Sequence, residues 1–430
     1  MNASPVPPEP RFALPVAMRW LLGCDALMLT AWRAGQVALP WWVLQAGGAR
    51  HLALYAVSAG AMSLLAMPLL APLGDRFGKR RLVALGLWAM ALQAGGLAAL
   101  CLTGRYSLAG VLLLTAWGMG AFAVITPAAL SVTPELLPPA QLTRGLGLQK
   151  SAQAIGRVLG PVLAGSVLGV AGVGMALALY LGLMLVAAAM AQQLLRHGGL
   201  PPPTAGEAPR AWWQALRSGW QVKWAMPLER YWTLATFVVS LFVQLGMGLL
   251  LPLKVQSLGL GGGWLGACEA ALAVGALAAA LGGSGALVRR WGRPVTSYGA
   301  LAGQVLALAG LAGLRQGPWL LPVLGLLGAS VTTVQLVGQT QRLLAVPPHY
   351  RARLTAVNLT VMQAAAALGP ALAGWGLQHA GVDVLYAGAA LGTLLGLGAY
   401  LCIPGYRAFL SLPAEAAQGA YQRRHPGLFR

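Results

Sequence analysis

Stretches free of Asp, Glu, Lys and Arg recur along this chain at close to bilayer length: 51–74, 82–104, 106–134, 158–195, 231–253, 270–288, 294–314, 316–341, 354–382 and 384–406. A helix needs about 20 predominantly apolar residues to cross the hydrocarbon core of a membrane. The 158–195 run is long enough for two partly overlapping spans, and a first span over 18–42 brings the expected number to twelve. Only 9% of the residues are charged and 58% are hydrophobic, whereas soluble domains carry about 25% charged residues. The expected fold class is an all-α polytopic membrane protein.

A formal net charge of +20 on a soluble chain would suggest a nucleic-acid surface. Its distribution points elsewhere. Of the 29 Lys and Arg, only Arg50, Arg105 and Arg315 fall in loops on one side, while Arg33, Arg157 and Lys254 lie within or near spans; the others gather on the opposite side. Basic residues stay on the cytoplasmic face. Both termini are therefore expected in the cytoplasm, with the protein in a cell (inner) membrane and no nucleic-acid partner. The excess of Arg over Lys, with abundant Ala and Gly, suits a GC-rich bacterium. Residues 1–10 lack a basic segment and Asp25 interrupts the apolar run that follows, so a cleaved signal is not expected. Cys24, Cys101, Cys268 and Cys402 are scattered through the spans without metal or disulfide spacing and read as packing residues.

The second half of the chain echoes the first. Gly160-Pro161-Val162-Leu163-Ala164-Gly165 recurs as Gly369-Pro370-Ala371-Leu372-Ala373-Gly374, Pro138-Pro139 as Pro347-Pro348, and Arg144 as Arg353, each 209 residues on. Pro40 meets Pro252 at 212 and the loop around Asp75 meets GALVRRWGR (285–293) at 214, with Arg289 where Asp75 stood. Such a repeat implies two parallel halves with a site between them near the midplane. The expected divisions are 1–195, a six-helix half; 196–230, a linker; 231–406, a second six-helix half; and 407–430, a cytoplasmic tail. Within the linker, Trp213, Leu216, Trp220 and Trp224 share one helical face while Arg217 and Lys223 lie elsewhere, which suits an interfacial helix on the cytoplasmic leaflet.

Residues 70–81, LAPLGDRFGKRR, form a short basic loop between two spans, with Gly74, Asp75, Arg76, Gly78, Lys79 and Arg80. The loop resembles the signature between helices 2 and 3 of the major facilitator superfamily, with Ala71 in place of a glycine. The resemblance extends over the whole chain. LPWWVLQAGGARHLALY (39–55), the segment 131–165 and the Trp-rich linker resemble the macrolide-efflux and enterobactin-exporter branch of drug:proton antiporters. Gly156, Gly160, Pro161, Ala164 and Gly165 are similar to the antiporter motif of the fifth helix, with Ala164 replacing a glycine. The resemblance implies that Asp75 holds the outward-facing state by contacting the start of helix 11. Arg289 breaks that pattern in the second copy.

The glycine motif has a physical meaning of its own. Gly156, Gly160 and Ala164 form a small-residue stripe that allows close helix approach, and Pro161 cannot donate to the carbonyl of Arg157. Ala365, Gly369 and Ala373 with Pro370 repeat the device, and Gly374 echoes Gly165. A gating hinge and ordinary helix packing are both open readings.

Ionisable groups at bilayer depth cost roughly 2.5–3.5 kcal/mol on insertion scales and are functional candidates. Four stand out: Asp25, Arg33, Arg157 and Glu269. Asp25, Trp32 and Gln36 fall within about 20° of one another on a helical wheel, with Arg33 on the same half. Gln149, Gln153 and Arg157 step by four, and Thr332, Gln335 and Gln339 make a polar edge. These residues are candidates to line a cavity for an amphipathic organic molecule, an anionic one included; structural pairing of Arg33 or Arg157 with Asp25 or a backbone carbonyl is the alternative. Asp25 and Glu269 are the only acids within the spans and hence the candidate proton carriers. LLTAWGMGAFAV (113–124) lacks the arginine that many proton antiporters carry in helix 4.

No GxxxxGK[ST] loop is present, so ATP is not expected to drive the protein, and none of the five histidines pairs with a nucleophile. The expected function is a secondary exporter of a small amphipathic compound of drug or siderophore type, working by alternating access with proton antiport. Alternatives are an uncoupled facilitator, an importer, or a non-transporting sensor or assembly factor. The expected partners are the small-molecule substrate, protons and the lipid bilayer. Enzymatic chemistry, a cofactor and a metal are not expected, and the protein is expected to be a monomer.

Overall fold

A computed structural model describes residues 14–70, 78–137, 139–197 and 209–429. Among these residues the secondary structure is helical, with no strand. The first half contains α1 (Val16–Leu70), α2 (Lys79–Leu102), α3 (Leu108–Leu136) and α4 (Pro139–His197). The amphipathic α5 (Pro209–Ala225) follows. The second half holds α6 (Pro227–Gly248), α7 (Leu250–Ser257), α8 (Gly262–Ala278), α9 (Ser284–Gly313), α10 (Leu320–Ala345), α11 (Pro348–Gly376) and α12 (Val382–Leu401).

Two of the longest helices are broken by a non-helical glycine inside their length. Gly48 (φ 69°, ψ −174°) breaks α1 and Gly172 (φ 78°, ψ −178°) breaks α4. That region of backbone space is essentially closed to residues with a Cβ. Eight stretches among the described residues are long and apolar enough to cross a membrane, fewer than the twelve expected. The difference has a partial cause in such glycine breaks, across which one apolar stretch holds more than one bilayer length: Gly145–His197 is 53 residues long with Gly172 inside it, and Gly262–Gly313 is 52 residues long with breaks at Gly282 and Gly292. The 285–293 echo of the Asp75 motif is helical within α9, interrupted at Gly292 (φ 77°).

Buried polar side chains tie the helices where apolar packing alone gives little direction. Tyr180 donates to Gln93 (2.8 Å), Tyr386 to the Gly246 carbonyl (2.8 Å), and Ser284 bonds Thr333 (2.9 Å). The large apolar side chains left on the surface, such as Val170, Leu113 and Leu395, are what a lipid-facing wall requires.

The segment after α12 is not an extended tail. It folds into α13 (Tyr406–Leu410), α14 (Ala414–Ala417) and α15 (Ala420–Arg424). These pack under the second half through buried Tyr406, Phe409 and Tyr421. Gly419 N–H caps the Leu344 carbonyl (2.9 Å), and Gln341 Nε2 donates to the carbonyls of Leu410 (3.2 Å) and Leu412 (3.0 Å).

Candidate functional site

Asp25 lies on α1 with no exposed surface. Gln149 Nε2 on α4 donates to its Oδ2 at 2.6 Å, and Gln153 Nε2, one turn further, at 3.3 Å. Thr133 of α3 donates to Gln149 Oε1 (2.8 Å), which fixes that amide with its nitrogen toward Asp25. Asp25 Oδ1 is buried without a hydrogen-bond partner. A buried carboxylate held by amides, with no cation in contact among the described residues, stands apart from the paired charges found elsewhere in the chain.

Trp32 and Gln36 share the Asp25 side of α1 in sequence but not its surroundings. Trp32 stacks on Phe122 with ring centroids 4.5 Å apart, and Trp32 and Gln36 border a small cavity of about 30 Å³ with Tyr55, Gln93 and Tyr180. Gln36 is exposed and accepts from Arg33 Nη1 at 2.9 Å. Arg33 is half-buried, its Nε buried without a partner. Arg157 is exposed on α4 and Glu269 is half-buried on α8. The Arg33 charge acts on both, repelling Arg157 and attracting Glu269. Arg33 therefore relates the two halves of the chain electrostatically and is not paired with Asp25.

The glycine motif of α4 packs on two sides. A Cβ on Gly160 would stand 2.6 Å from the Thr30 carbonyl oxygen, and one on Gly156 2.7 Å from that of Ala26, so this stretch lies directly on α1. A Cβ on Gly165 would stand 2.5 Å from Gly266 Cα, on α8 of the other half. Ala164 is fully buried between. The echo behaves alike. A Cβ on Gly369 would lie 2.8 Å from the Leu245 nitrogen of α6, one on Gly374 3.0 Å from Ala53 Cβ of α1, and Pro370 touches the Gly248 site. Each copy thus seats one glycine against its own half and another against the opposite half. The chain stays helical through Pro161 and Pro370; among the residues of α4 only Gly172 leaves helical geometry.

The approaches between halves lie between mid-bundle and the end remote from the termini: Gly165 on Gly266, Gly374 on Ala53, Gly60 on Ala367 and Gly262 on the Trp41 ring. Gln363 Nε2 adds a bond to Ser63 (2.6 Å).

Gln335 and Gln339, exposed on α10, border a cavity of about 180 Å³ in the second half. Gln244, Gln304, Asn358 and Gln363 add further amides to its wall, and Trp232 and Tyr400 supply rings. A second cavity of about 220 Å³ shares Gln339, Arg342, Asn358 and Met362 with the first and continues past Arg351. Arg33, Gln153 and Arg157, expected in the same cavity as Gln335 and Gln339, do not border either one.

A charge cluster at this cavity escaped sequence reasoning. Glu229, buried in the first turn of α6, pairs with Lys223 of α5 (3.2 Å) and Arg342 of α10 (3.0 Å) and accepts from Tyr421 of α15 (2.5 Å). Lys223 also donates to Asn358 Oδ1. Lys223 has no exposed surface, so α5 does not present it to solvent as its amphipathic pattern suggests. Burial holds the Lys223 ammonium down at about 8, against the pull of Glu229. A lone acid beside a linker reads as a solvated helix start, and only its proximity to Lys223 and Arg230 hinted otherwise.

Gly74, Asp75 and Arg76 lie outside the described residues. Gly78 precedes α2, and Lys79 and Arg80 at its start face Glu135 at the end of α3 (3.0 and 4.0 Å). Among the described residues no group of three His, Cys, Asp or Glu is placed to hold a metal ion.

The shape is shared with solved transporters. A bacterial homologue of the iron transporter ferroportin, in its inward-facing state, superposes with a TM-score of 0.69 at 18% identity, covering 92% of this chain and 99% of that one. The peptide transporter POT gives 0.72 at 15% identity, with 94% and 97% covered, and the nucleoside transporter NupG 0.68 at 14%, with 90% and 100%. No curated protein sequence matches significantly. The family model described as Major Facilitator Superfamily matches residues 21–370, and a multi-pass, all-helical chain of this shape belongs to that superfamily.

Proposed function

We propose that the protein is a secondary exporter of a small amphipathic organic compound, of the drug:proton antiporter type, working by alternating access in a bacterial cell membrane with both termini cytoplasmic. Twelve spans in two six-helix halves joined by 196–230 fit this reading. The observation that carries it is Asp25: a buried carboxylate without a cation partner, one oxygen unbonded and the other held by Gln149 and Gln153 on the helix that bears the glycine motif. A group so placed can take up and release a proton as access alternates. Glu269, on α8 against that motif and under the influence of Arg33, is the second candidate carrier.

Close packing at the end remote from the termini, with the second-half cavity bordered by Arg342 and Arg351 near the other end, supports an inward-facing resting state. A proton moving down about 100 mV releases roughly 2.3 kcal/mol, enough for tens-fold accumulation. The test is a pH-sensitive dye in inverted vesicles holding the purified protein, challenged with macrolides, dyes and catecholates. Proton release on substrate addition, abolished by Asp25→Asn or Glu269→Gln, supports antiport. Substrate flux with no proton movement assigns an uncoupled facilitator instead.

A further inference from the structure

The second-half cavity has an electrostatic surplus that its own side chains do not discharge. Arg342 and Arg351 line it with two positive charges against the one negative charge of Glu229, and Lys223, in contact with Glu229 and Asn358, adds a third positive charge behind them. In the Arg342 guanidinium Nε pairs with Glu229 at 3.0 Å, Cζ lies 3.6 Å from the Trp232 ring centroid, and Nη2 is buried with no hydrogen-bond partner. Arg351 donates Nε to the Val346 carbonyl at 3.3 Å, a neutral acceptor that leaves its charge in place. Above Arg342 the wall turns to amides, with Gln304 Oε1 also buried and unbonded, and then to Val239, Val243, Val331, Val361 and Met362.

An unpaired guanidinium in a buried site is costly, and carboxylate and phosphate oxygens are the acceptors that satisfy it best. We propose that this cavity is an anion site: the part of the Arg342 guanidinium that borders it, with Asn358 and Arg351 beside it, receives the carboxylate or phosphate of an amphipathic organic molecule, whose uncharged body lies along the amide and valine wall toward Gln244 and Gln304. The inference deepens the exporter reading and rests on it for the identity of that molecule as cargo. The same chemistry is offered by the headgroup of an anionic lipid. The site also accounts for α5 and the tail, since Glu229, which holds Lys223 and Tyr421, sits on the same arginine.

The test is equilibrium dialysis of the full chain in phosphatidylcholine nanodiscs against 1-naphthaleneacetate and its neutral analogue 1-naphthaleneacetamide. The acid is expected to bind more tightly than the amide by about ten- to hundredfold, the contrast expected of a hydrogen-bonded charge. Arg342→Gln should erase that preference. Because it also strips Glu229 of a partner, Asn358→Leu and the double variant Arg342→Gln/Glu229→Gln are run beside it, each checked for a monodisperse elution profile. Equal binding of acid and amide, or a preference surviving in all three variants, overturns the proposal. Nanodiscs made with phosphatidylglycerol separate the sources: competition lost in Arg342→Gln assigns the site to a lipid headgroup, and undiminished acid binding assigns it to a soluble anion. Dialysis needs no proton movement, so a failed antiport assay with intact acid selectivity removes the coupling and leaves the site, while the converse leaves an exporter with its site elsewhere.

Discussion

Gln149 Nε2 stands 2.6 Å from Asp25 Oδ2, a contact between helices 124 residues apart in sequence. Thr133 holds the amide in that orientation by donating to its oxygen. A hydrogen bond to an ionised group contributes about 1.5–3 kcal/mol, and one pKa unit corresponds to about 1.4 kcal/mol. Gln149→Leu is therefore expected to displace the pH dependence of transport by about one to two units, with Thr133→Val doing the same to a smaller extent. Superimposable pH profiles for wild type and both variants would show that this network does not serve the proton.

Gly165 and Gly266 meet backbone to backbone at the end remote from the termini. Gly266→Leu leaves no room for that approach. In a cysteine-free background, spin labels at Val170→Cys and Gly261→Cys should report a longer distance once Gly266→Leu is added, as the closed end is wedged apart. An unchanged distance distribution would mean that this contact does not hold the end shut.

Glu229 neutralises Lys223 and Arg342 together. Removing one partner of a buried ion pair costs about 3–5 kcal/mol. Glu229→Gln should accordingly lower the Tm of the detergent-solubilised protein by several degrees, and Glu229→Gln/Lys223→Met should recover part of the loss. A Tm equal to that of wild type would place the cluster outside the stability of the fold.

Lys223 titrates at about 8 in the folded protein, against about 10.4 for an exposed lysine. Between those values the unfolded chain binds the proton that the folded chain has released, so stability rises with pH. The groups facing it are Glu229, Arg342 and Asn358. The Tm of wild type relative to Lys223→Met should be flat below pH 8 and increase from 8 toward 10. A difference that falls over that range would contradict the burial of the ammonium.

Much of the fold was legible in the sequence because lipid imposes long apolar runs and close helix contact imposes glycine. The offset of 209 residues between Gly160-Pro161 and Gly369-Pro370 proved to be an offset between equivalent packing positions, each copy touching its own half and the other. Asp25 stood out as a charge in an apolar run, and the four-residue step of Gln149 and Gln153 indicated their shared face. Thr133 gave no signal, since threonines in helices commonly bond their own backbone, as Thr115 and Thr126 do here. The Glu229 cluster was hidden for a different reason: its members come from a linker, two helices and the terminal segment. Nothing local marks a lysine on an amphipathic helix as buried. The helical wheel also put Arg33 on the same half of its helix as Asp25, whereas in the fold Arg33 bonds Gln36 and Asp25 is held by Gln149 and Gln153.

The central claim is that Asp25 carries the coupled proton, and substrate counterflow set beside pH-gradient-driven accumulation tests it most directly. In proteoliposomes, Asp25→Asn should retain exchange of labelled for unlabelled substrate at near wild-type rate while losing accumulation against a gradient by tens-fold, the factor expected from one proton at about 100 mV. Asp25→Asn that still accumulates substrate to the wild-type level under the same pH gradient would contradict it.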